Sequence, residues 1–205
     1  MRVAIVGGTG PFGRALAARL KNAGHDVVLG SRDGARASEA AAELGVEGAE
    51  NREAVASADL VVLATKADAA SATAHDLREA VGSTPVLSVA SELVFTPRGV
   101  LSRGSVSSLA EEIQGELVGP VVAGLHSLAA SNLAAERPDE DAFVCGDDAD
   151  AKALVLELAS QITTGRALDA GPLESARVLE GLTAVIVNLN KRYRGHAGLR
   201  VTGLD

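Results

Sequence analysis

The sequence predicts an α/β fold built on a doubly wound, largely parallel sheet. Three observations point to it. Over roughly the first 100 residues, short β-branched runs alternate with Ala-rich runs of helical length, the signature of βαβ units. A glycine-rich turn joins the first strand to the first helix. The apolar stock is aliphatic: 47% of the residues are hydrophobic, only 2% are aromatic and none is Trp, so Val, Leu, Ile and Ala must build the core. At 205 residues the chain suffices for one full domain with a small appendage.

In order, Val3 to Val6 reads as a strand buried on both faces. Pro11 to Ala23 reads as a helix, with Leu16, Leu20 and Ala23 at helical spacing and Gly24 as its stop. A strand from Asp26 to Gly30 precedes a helix from Asp33 to Leu44 that Gly45 ends. Arg52 to Ser57 is a short helix, Asp59 to Ala64 a strong strand, Asp68 to Val81 a helix and Pro85 to Val89 a strand. Ala90 to Gly104, with Pro97, two glycines and several serines, predicts a long surface loop. Helix returns at Ser107 to Glu116 and strand at Val121 to Leu125. Ala142 to Cys145 is strand-like, Ala149 to Gln161 a helix opened by the Asp147-Asp148 pair, and Arg166 to Asp169 a last short strand. Pro172 stands near the first position of a long helix reaching about Arg194. Leu182 to Leu189 is apolar nearly all round, which predicts a buried helix packed on two sides and a subunit interface. The tail Gly195 to Asp205 is expected to be partly ordered unless it folds over a site.

Charge and composition exclude some functions. A net charge of -8 disfavours nucleic acid and anionic membranes as partners. No apolar run is long enough for a signal peptide or a spanning helix. The single cysteine, Cys145, can form neither an internal disulfide nor a Cys-rich metal site, which fits a cytoplasmic location. No two histidines have metal-ligand spacing, so no metal is expected.

The most informative stretch is Gly7-Gly8-Thr9-Gly10-Pro11-Phe12-Gly13. Gly8, Gly10 and Gly13 match G-x-G-x-x-G between a buried strand and an amphipathic helix, the dinucleotide fingerprint of a Rossmann-type unit. An early glycine allows the tight turn, Gly10 lets a pyrophosphate approach the backbone, and Gly13 lets helix pack on strand. The helix start offers N–H groups and partial positive charge to phosphate, and Thr9 adds a hydroxyl. At the tip of the second strand stands Ser31-Arg32-Asp33, with Arg36 one turn on. An NAD-binding unit usually places an acid at that tip. Here Ser31 can donate to a 2′-phosphate and Arg32 can grip it, which predicts NADP. The alternative is that Arg32 and Arg36 are solvated helix residues and Asp33 merely the cap.

Acid–base groups are few. Thr65-Lys66, Ser88 to Glu92 and His126-Ser127 each follow a strand, where ligands of open parallel sheets sit. Lys66 and His126 are the candidate catalytic groups, each with a plain loop role as the alternative. So sparse a set suggests hydride transfer to a partner that carries its own electronics, with the protein aligning two rings. A reductase of an imine or keto compound, with Lys66 or His126 as proton donor, and a non-catalytic NADP-binding sensor remain as alternatives.

The opening Met-Arg-Val-Ala-Ile-Val-Gly-Gly-Thr-Gly with Phe12-Gly13, Gly30-Ser31-Arg32, Leu125-His126-Ser127, Val144-Cys145-Gly146-Asp147-Asp148 and Leu168-Asp169-Ala170-Gly171-Pro172-Leu173 with Ala176-Arg177 and Leu179-Glu180 resemble the NADPH-dependent reductases of the deazaflavin coenzyme F420. The resemblance covers nearly the whole chain, in order. It implies reversible hydride transfer between NADP(H) and coenzyme F420 as a small-molecule redox substrate, in a cytoplasmic homodimer. It implies a Rossmann domain over 1–125 and a small C-terminal α/β part over 126–205, ending in a long helix, for the substrate site and dimerisation. It places Thr9, Gly10, Pro11 and Phe12 on the pyrophosphate and Ser31, Arg32 and Arg36 on the 2′-phosphate. Ala67 and Ser91 would then lie by the nicotinamide half, with Ala129 near it; Thr65, by its own place after a strand, is expected to border the nicotinamide too. Thr65-Lys66-Ala67 and Leu128-Ala129-Ala130 depart from the family's usual residues where the second ring would lie.

Overall fold

A computed structural model describes residues 1–103 and 106–204. Ten strands and eight helices follow one another: β1 (Arg2–Val6), α1 (Pro11–Asn22), β2 (Asp26–Ser31), α2 (Gly34–Leu44), β3 (Glu47–Glu50), α3 (Asn51–Val55), β4 (Leu60–Leu63), α4 (Ala67–Val81), β5 (Val86–Ser88), β6 (Leu93–Thr96), β7 (Gly99–Ser102), α5 (Leu109–Glu116), β8 (Val121–Gly124), α6 (Ala130–Ala135), β9 (Ala142–Gly146), α7 (Ala149–Ile162), β10 (Ala167–Asp169) and α8 (Ala176–Tyr193). Eight strands form one sheet in the order β10-β9-β8-β5-β4-β1-β2-β3. All its pairings are parallel except β8 with β9. The β1 strand is buried on both faces, Val3 and Ile5 facing one core and Ala4 and Val6 the other. The first core packs under α1, α2, α6 and α7, the second under α3, α4, α5 and α8, giving three layers.

Local chemistry places the helix ends. Asp33 caps α2 by accepting from the Ala35 and Arg36 amides, and Gly45 ends it at φ 64. Ser108 and Glu111 form a capping box at α5. Asp148 caps α7 through the Ala151 amide.

Several expectations are corrected. The segment after β5 is not a loop: β6 and β7 form an antiparallel hairpin separate from the main sheet, while Gly104 lies outside the described residues. The β3 strand pairs with β2 at the sheet edge; its acidic, half-exposed residues carry no strand pattern, and charge suits an edge. Pro172 precedes a 3₁₀ turn, Leu173–Ser175, and α8 begins only at Ala176. The Leu182 to Leu189 run is not wholly buried. Ala184 and Ile186 enter the core, whereas Val178 and Val185 are exposed, with Leu182 and Leu189 half-buried beside them. The tail is pinned through its described residues: Asp141 accepts the Val201 amide at 2.8 Å and donates its own amide to Leu199 O. Arg166, paired with Asp141 at 2.7 Å, donates to the Val201 and Leu204 carbonyls.

Candidate active site

The crevice opens where the chain crosses from one side of β1 to the other, at the carboxyl ends of β1 and β4, the usual ligand position in an open α/β sheet. Gly7 leaves β1 at φ 79, and a Cβ there would sit 2.8 Å from the Ala64 backbone. A Cβ on Gly8 would meet Ile5 O at 2.7 Å, and one on Gly13 would meet Gly8 Cα at 2.7 Å. These three positions are therefore closed by the fold itself. Gly10 differs: a Cβ there would meet only Gly7 O, at an ordinary 3.5 Å. Gly10 caps α1 in extended geometry, no side chain caps that end, and Pro11 occupies the first helical position. A helix start of this kind, with backbone bare at Gly10, is a phosphate cradle.

Beyond β2, Ser31 accepts the Asp33 amide at 3.2 Å. Asp33 is committed to capping. Arg32 and Arg36 are both exposed, and neither joins an ion pair among the described residues. Arg32 after the strand and Arg36 in the first turn of α2 are thus exposed cations, and the one acid between them in the chain, Asp33, is turned to the helix cap.

At the other end of the crevice, a cleft of about 230 Å³ gathers Phe12 from α1, Thr65, Lys66 and Ala67 from the β4–α4 turn, Ser91 and Leu93 before and in the hairpin, and His126 and Leu128 after β8. Six of the residues singled out in the sequence, Phe12, Thr65, Lys66, Ala67, Ser91 and His126, meet there. Ala129 lies one residue past this lining and caps α6. Ser31, Arg32 and Arg36 lie outside the cleft, beyond the strand-to-helix turn. Leu125, which precedes His126 in the segment quoted from the sequence, also lines it, as does Thr183, which sequence reasoning did not single out. Leu125 is fully buried at φ 65, a left-handed conformation costing about 1–2 kcal/mol for a residue with a Cβ; it turns the chain so that His126 follows at the strand end. Thr183, from α8, donates to His126 O at 3.1 Å and shares a hydroxyl–hydroxyl bond of 2.9 Å with Ser91. A helix 57 residues away in the chain leaves no local signal for that contact.

Electrostatics limit what the cleft can do. Burial lowers His126 to about 4, against the opposing effect of its contact to Ala90 O, so the ring is neutral near pH 7. That carbonyl, 3.2 Å from Nε2, can only accept, which assigns the proton to Nε2 and leaves Nδ1 as an acceptor. Nδ1 is buried with no partner among the described residues, as are Thr65 Oγ1 and Ser88 Oγ. Three such polar atoms at the ends of β4, β5 and β8 are costly unless a ligand or water engages them. The Gly10 cradle and these atoms fit a dinucleotide lying across the crevice.

Fold and cleft together define a nucleotide-dependent oxidoreductase of the Rossmann class. Residues 2–92 match the family described as NADP oxidoreductase, coenzyme F420-dependent. The F420-dependent NADP reductase of Methanothermobacter thermautotrophicus is 36% identical, over all of this chain and 96% of its own. That of Methanocaldococcus jannaschii is 33% identical over the full length of both. A crystal structure from an Arthrobacter species, provisionally assigned as an F420-dependent NADP reductase, superposes with a TM-score of 0.86 at 28% identity, covering 99% of this chain and all of its own. An imine reductase from Streptomyces aurantiacus shares the fold, with a TM-score of 0.65 at 23% identity. The chain belongs to the coenzyme F420-dependent NADP oxidoreductase family.

Proposed function

We propose that this protein transfers a hydride between NADP(H) and coenzyme F420. The observation that carries the reading is the composition of the cleft: polar acceptors and apolar walls line it, and the buried imidazole is held neutral. Such a site positions rings and offers little proton chemistry, which suits a reaction between two redox coenzymes.

When both are bound, the nicotinamide and the deazaflavin supply the donor and acceptor carbons. The chain's own residues bind and orient them. Thr9, Gly10, Pro11 and Phe12 hold the pyrophosphate at the start of α1, in a turn whose shape Gly8 and Gly13 permit. Ser31, Arg32 and Arg36 hold the 2′-phosphate. Thr65, Ala67, Ser91 and Ala129 border the nicotinamide half. His126 Nδ1 accepts a hydrogen bond from a bound ring substituent, and Lys66 provides positive charge at the mouth. Residues 1–125 serve the dinucleotide; residues 126–205 complete the acceptor site and carry the contact between subunits of a homodimer. The stripe Val178, Leu182, Val185 and Leu189 on α8 supports that last point.

An imine substrate would need a proton donor. His126 is a poor one, with its only N–H facing Ala90 O and its neutral form dominant, which leaves Lys66 as the donor such a substrate would have to use; the likeness to F420-dependent NADP reductases favours the deazaflavin reading. The test is spectroscopic: purified protein, NADPH and coenzyme F420 are mixed and the deazaflavin absorbance is followed. Turnover is expected. Arg32→Ala should weaken NADPH about 10–100-fold, the worth of charge-assisted bonds to one phosphate, while changing NADH little. NADPH binding without turnover, or equal losses for both nucleotides, would overturn the corresponding part of the reading.

A further inference from the structure

Asn188 is a polar residue inside the apolar run of α8, and its position has a physical reason. The β6–β7 hairpin pairs only with itself, and an isolated two-stranded hairpin is marginal in water. Asn188 supplies what a third strand would. Its Oδ1 accepts the Val100 amide at 2.8 Å, and its Nδ2 donates to the Val100 carbonyl at 2.6 Å. Both main-chain groups of one residue are taken by one side-chain amide. The Val100 side chain is itself buried. The approach is close enough that a Cβ on the preceding Gly99, at φ 136, would stand 2.8 Å from Asn188 Oδ1. One turn further along α8, Lys191 lies over the Phe95 ring at 5.1 Å.

The hairpin so held is part of the cleft. Leu93, its first residue, lines the cavity beside Ser91 and Thr183. A second trough of about 470 Å³ continues outward over Leu93, Val94 and Phe95 and shares Lys66, Ala67 and Ser91 with the first. Of the glycine turn only Phe12 lines the same cleft as Leu93, and Ser31, Arg32 and Arg36 line neither cavity. We infer that Asn188 is a positioning residue for the hydride acceptor: by clamping Val100 it fixes the hairpin as the outer wall of the cleft where the acceptor ring enters, leaving the phosphate-binding end of the dinucleotide, from which NADPH draws its affinity, independent of it. This inference rests on the reading above that the cleft serves two coenzymes.

The test compares wild type with Asn188→Ala and Asn188→Asp. Asp keeps an acceptor for the Val100 amide but sets a carboxylate against the Val100 carbonyl, so it should not rescue. Two lost hydrogen bonds in Asn188→Ala, and one lost bond with a carboxylate set against a carbonyl in Asn188→Asp, predict roughly a tenfold rise in KM for coenzyme F420 in each variant. KM and Kd for NADPH should stay within about twofold, which also shows that the variants fold. Peptides spanning residues 93–102 should exchange amide hydrogen faster in both variants. Equal rises in both KM values, no rise in either, or unchanged exchange over the hairpin would overturn the inference. If wild type reduces an imine but not the deazaflavin, the reading of the acceptor fails, and the same KM split measured with the imine decides for or against Asn188. If wild type turns over no acceptor, unchanged hairpin exchange still refutes the clamp.

Discussion

Four glycines in one turn look alike in sequence, yet the structure separates them by what a methyl group would strike. Gly7, Gly8 and Gly13 are enclosed by the protein's own backbone, whereas Gly10 faces open space. The first three are constrained by the fold, and the proposed role of the fourth is in what binds. Gly10→Ala should therefore leave the thermal midpoint nearly unchanged, because its φ of -76 suits alanine, and should weaken NADPH by at least about tenfold through steric conflict with the pyrophosphate. Gly13→Ala should do the reverse in order: lost stability first, on the order of 1–3 kcal/mol from overpacking. Thermal melts and NADPH titrations on both variants check this, and a destabilised Gly10→Ala with unchanged affinity would refute the assignment. The places of the fingerprint glycines and of Arg32, at a strand-to-helix turn and a strand tip, were legible because strand, turn and helix are contiguous in the chain. The constraint on Gly7 was not, because it comes from Ala64, just past the end of β4. The conformation of Leu125 and the reach of Thr183 were hidden for the same reason.

Among the elements, α8 is held mostly by side chains that read the main chain of other elements. Asn188 binds β7, Thr183 binds the His126 carbonyl, and Glu180 accepts the Leu109 and Ala110 amides at the start of α5, each at 3.1 Å. Glu180 is 5% exposed. Burial raises its carboxyl to about 7; the two amides oppose that shift, and Glu92 and Glu112 add to it. The unfolded chain titrates this group near its ordinary 4.5. Between those values the native state holds the extra proton, so this contribution to stability is complete below about pH 4.5 and is lost as pH rises through 7. The stake is on the order of 3 kcal/mol at most. His126, pushed down to about 4, acts in the opposite sense: its contribution is present above its ordinary 6.5 and lost as pH falls through 4. A comparison between wild type and Glu180→Gln isolates the glutamate. The fall in thermal midpoint from about pH 5 to pH 8 should be shallower in Glu180→Gln, and identical slopes would refute the role. The helical pattern of α8 was plain in the sequence, but the partners of its polar residues were not, since each lies on a different element. The hairpin escaped notice because its serines and glycines resemble a loop. Its apolar runs, Leu93 to Phe95 and Val100-Leu101, were the available signal, with Pro97-Arg98 as the turn between them.

The molecule as a whole exposes more surface than its mass calls for. Its accessible area is 9747 Å², whereas a compact monomer of 20.7 kDa is expected to expose about 8,900 Å². Part of the excess is apolar and ordered. Val178, Leu182, Val185 and Leu189 recur at spacings of four, three and four along α8, on a flank that adjoins Leu179 and Ile186 through Leu182 and turns outward at Val178 and Val185. This stripe is the candidate for the second packing side read from the sequence, and among the described residues Val178 and Val185 remain exposed. A stripe at that spacing suits helix-on-helix contact with its own copy about a twofold axis, the commonest closed arrangement. The homodimer reading therefore predicts that the wild type sediments as a dimer at micromolar concentration. Val185→Glu should sediment as a monomer, because two carboxylates meeting near the axis would face each other without a partner. NADPH affinity should be unchanged, since the Gly10 cradle and Arg32 lie on other elements. A monomeric wild type, or a Val185→Glu dimer as tight as the parent, would place the subunit contact elsewhere or remove it, and the apolar stripe would then need another occupant.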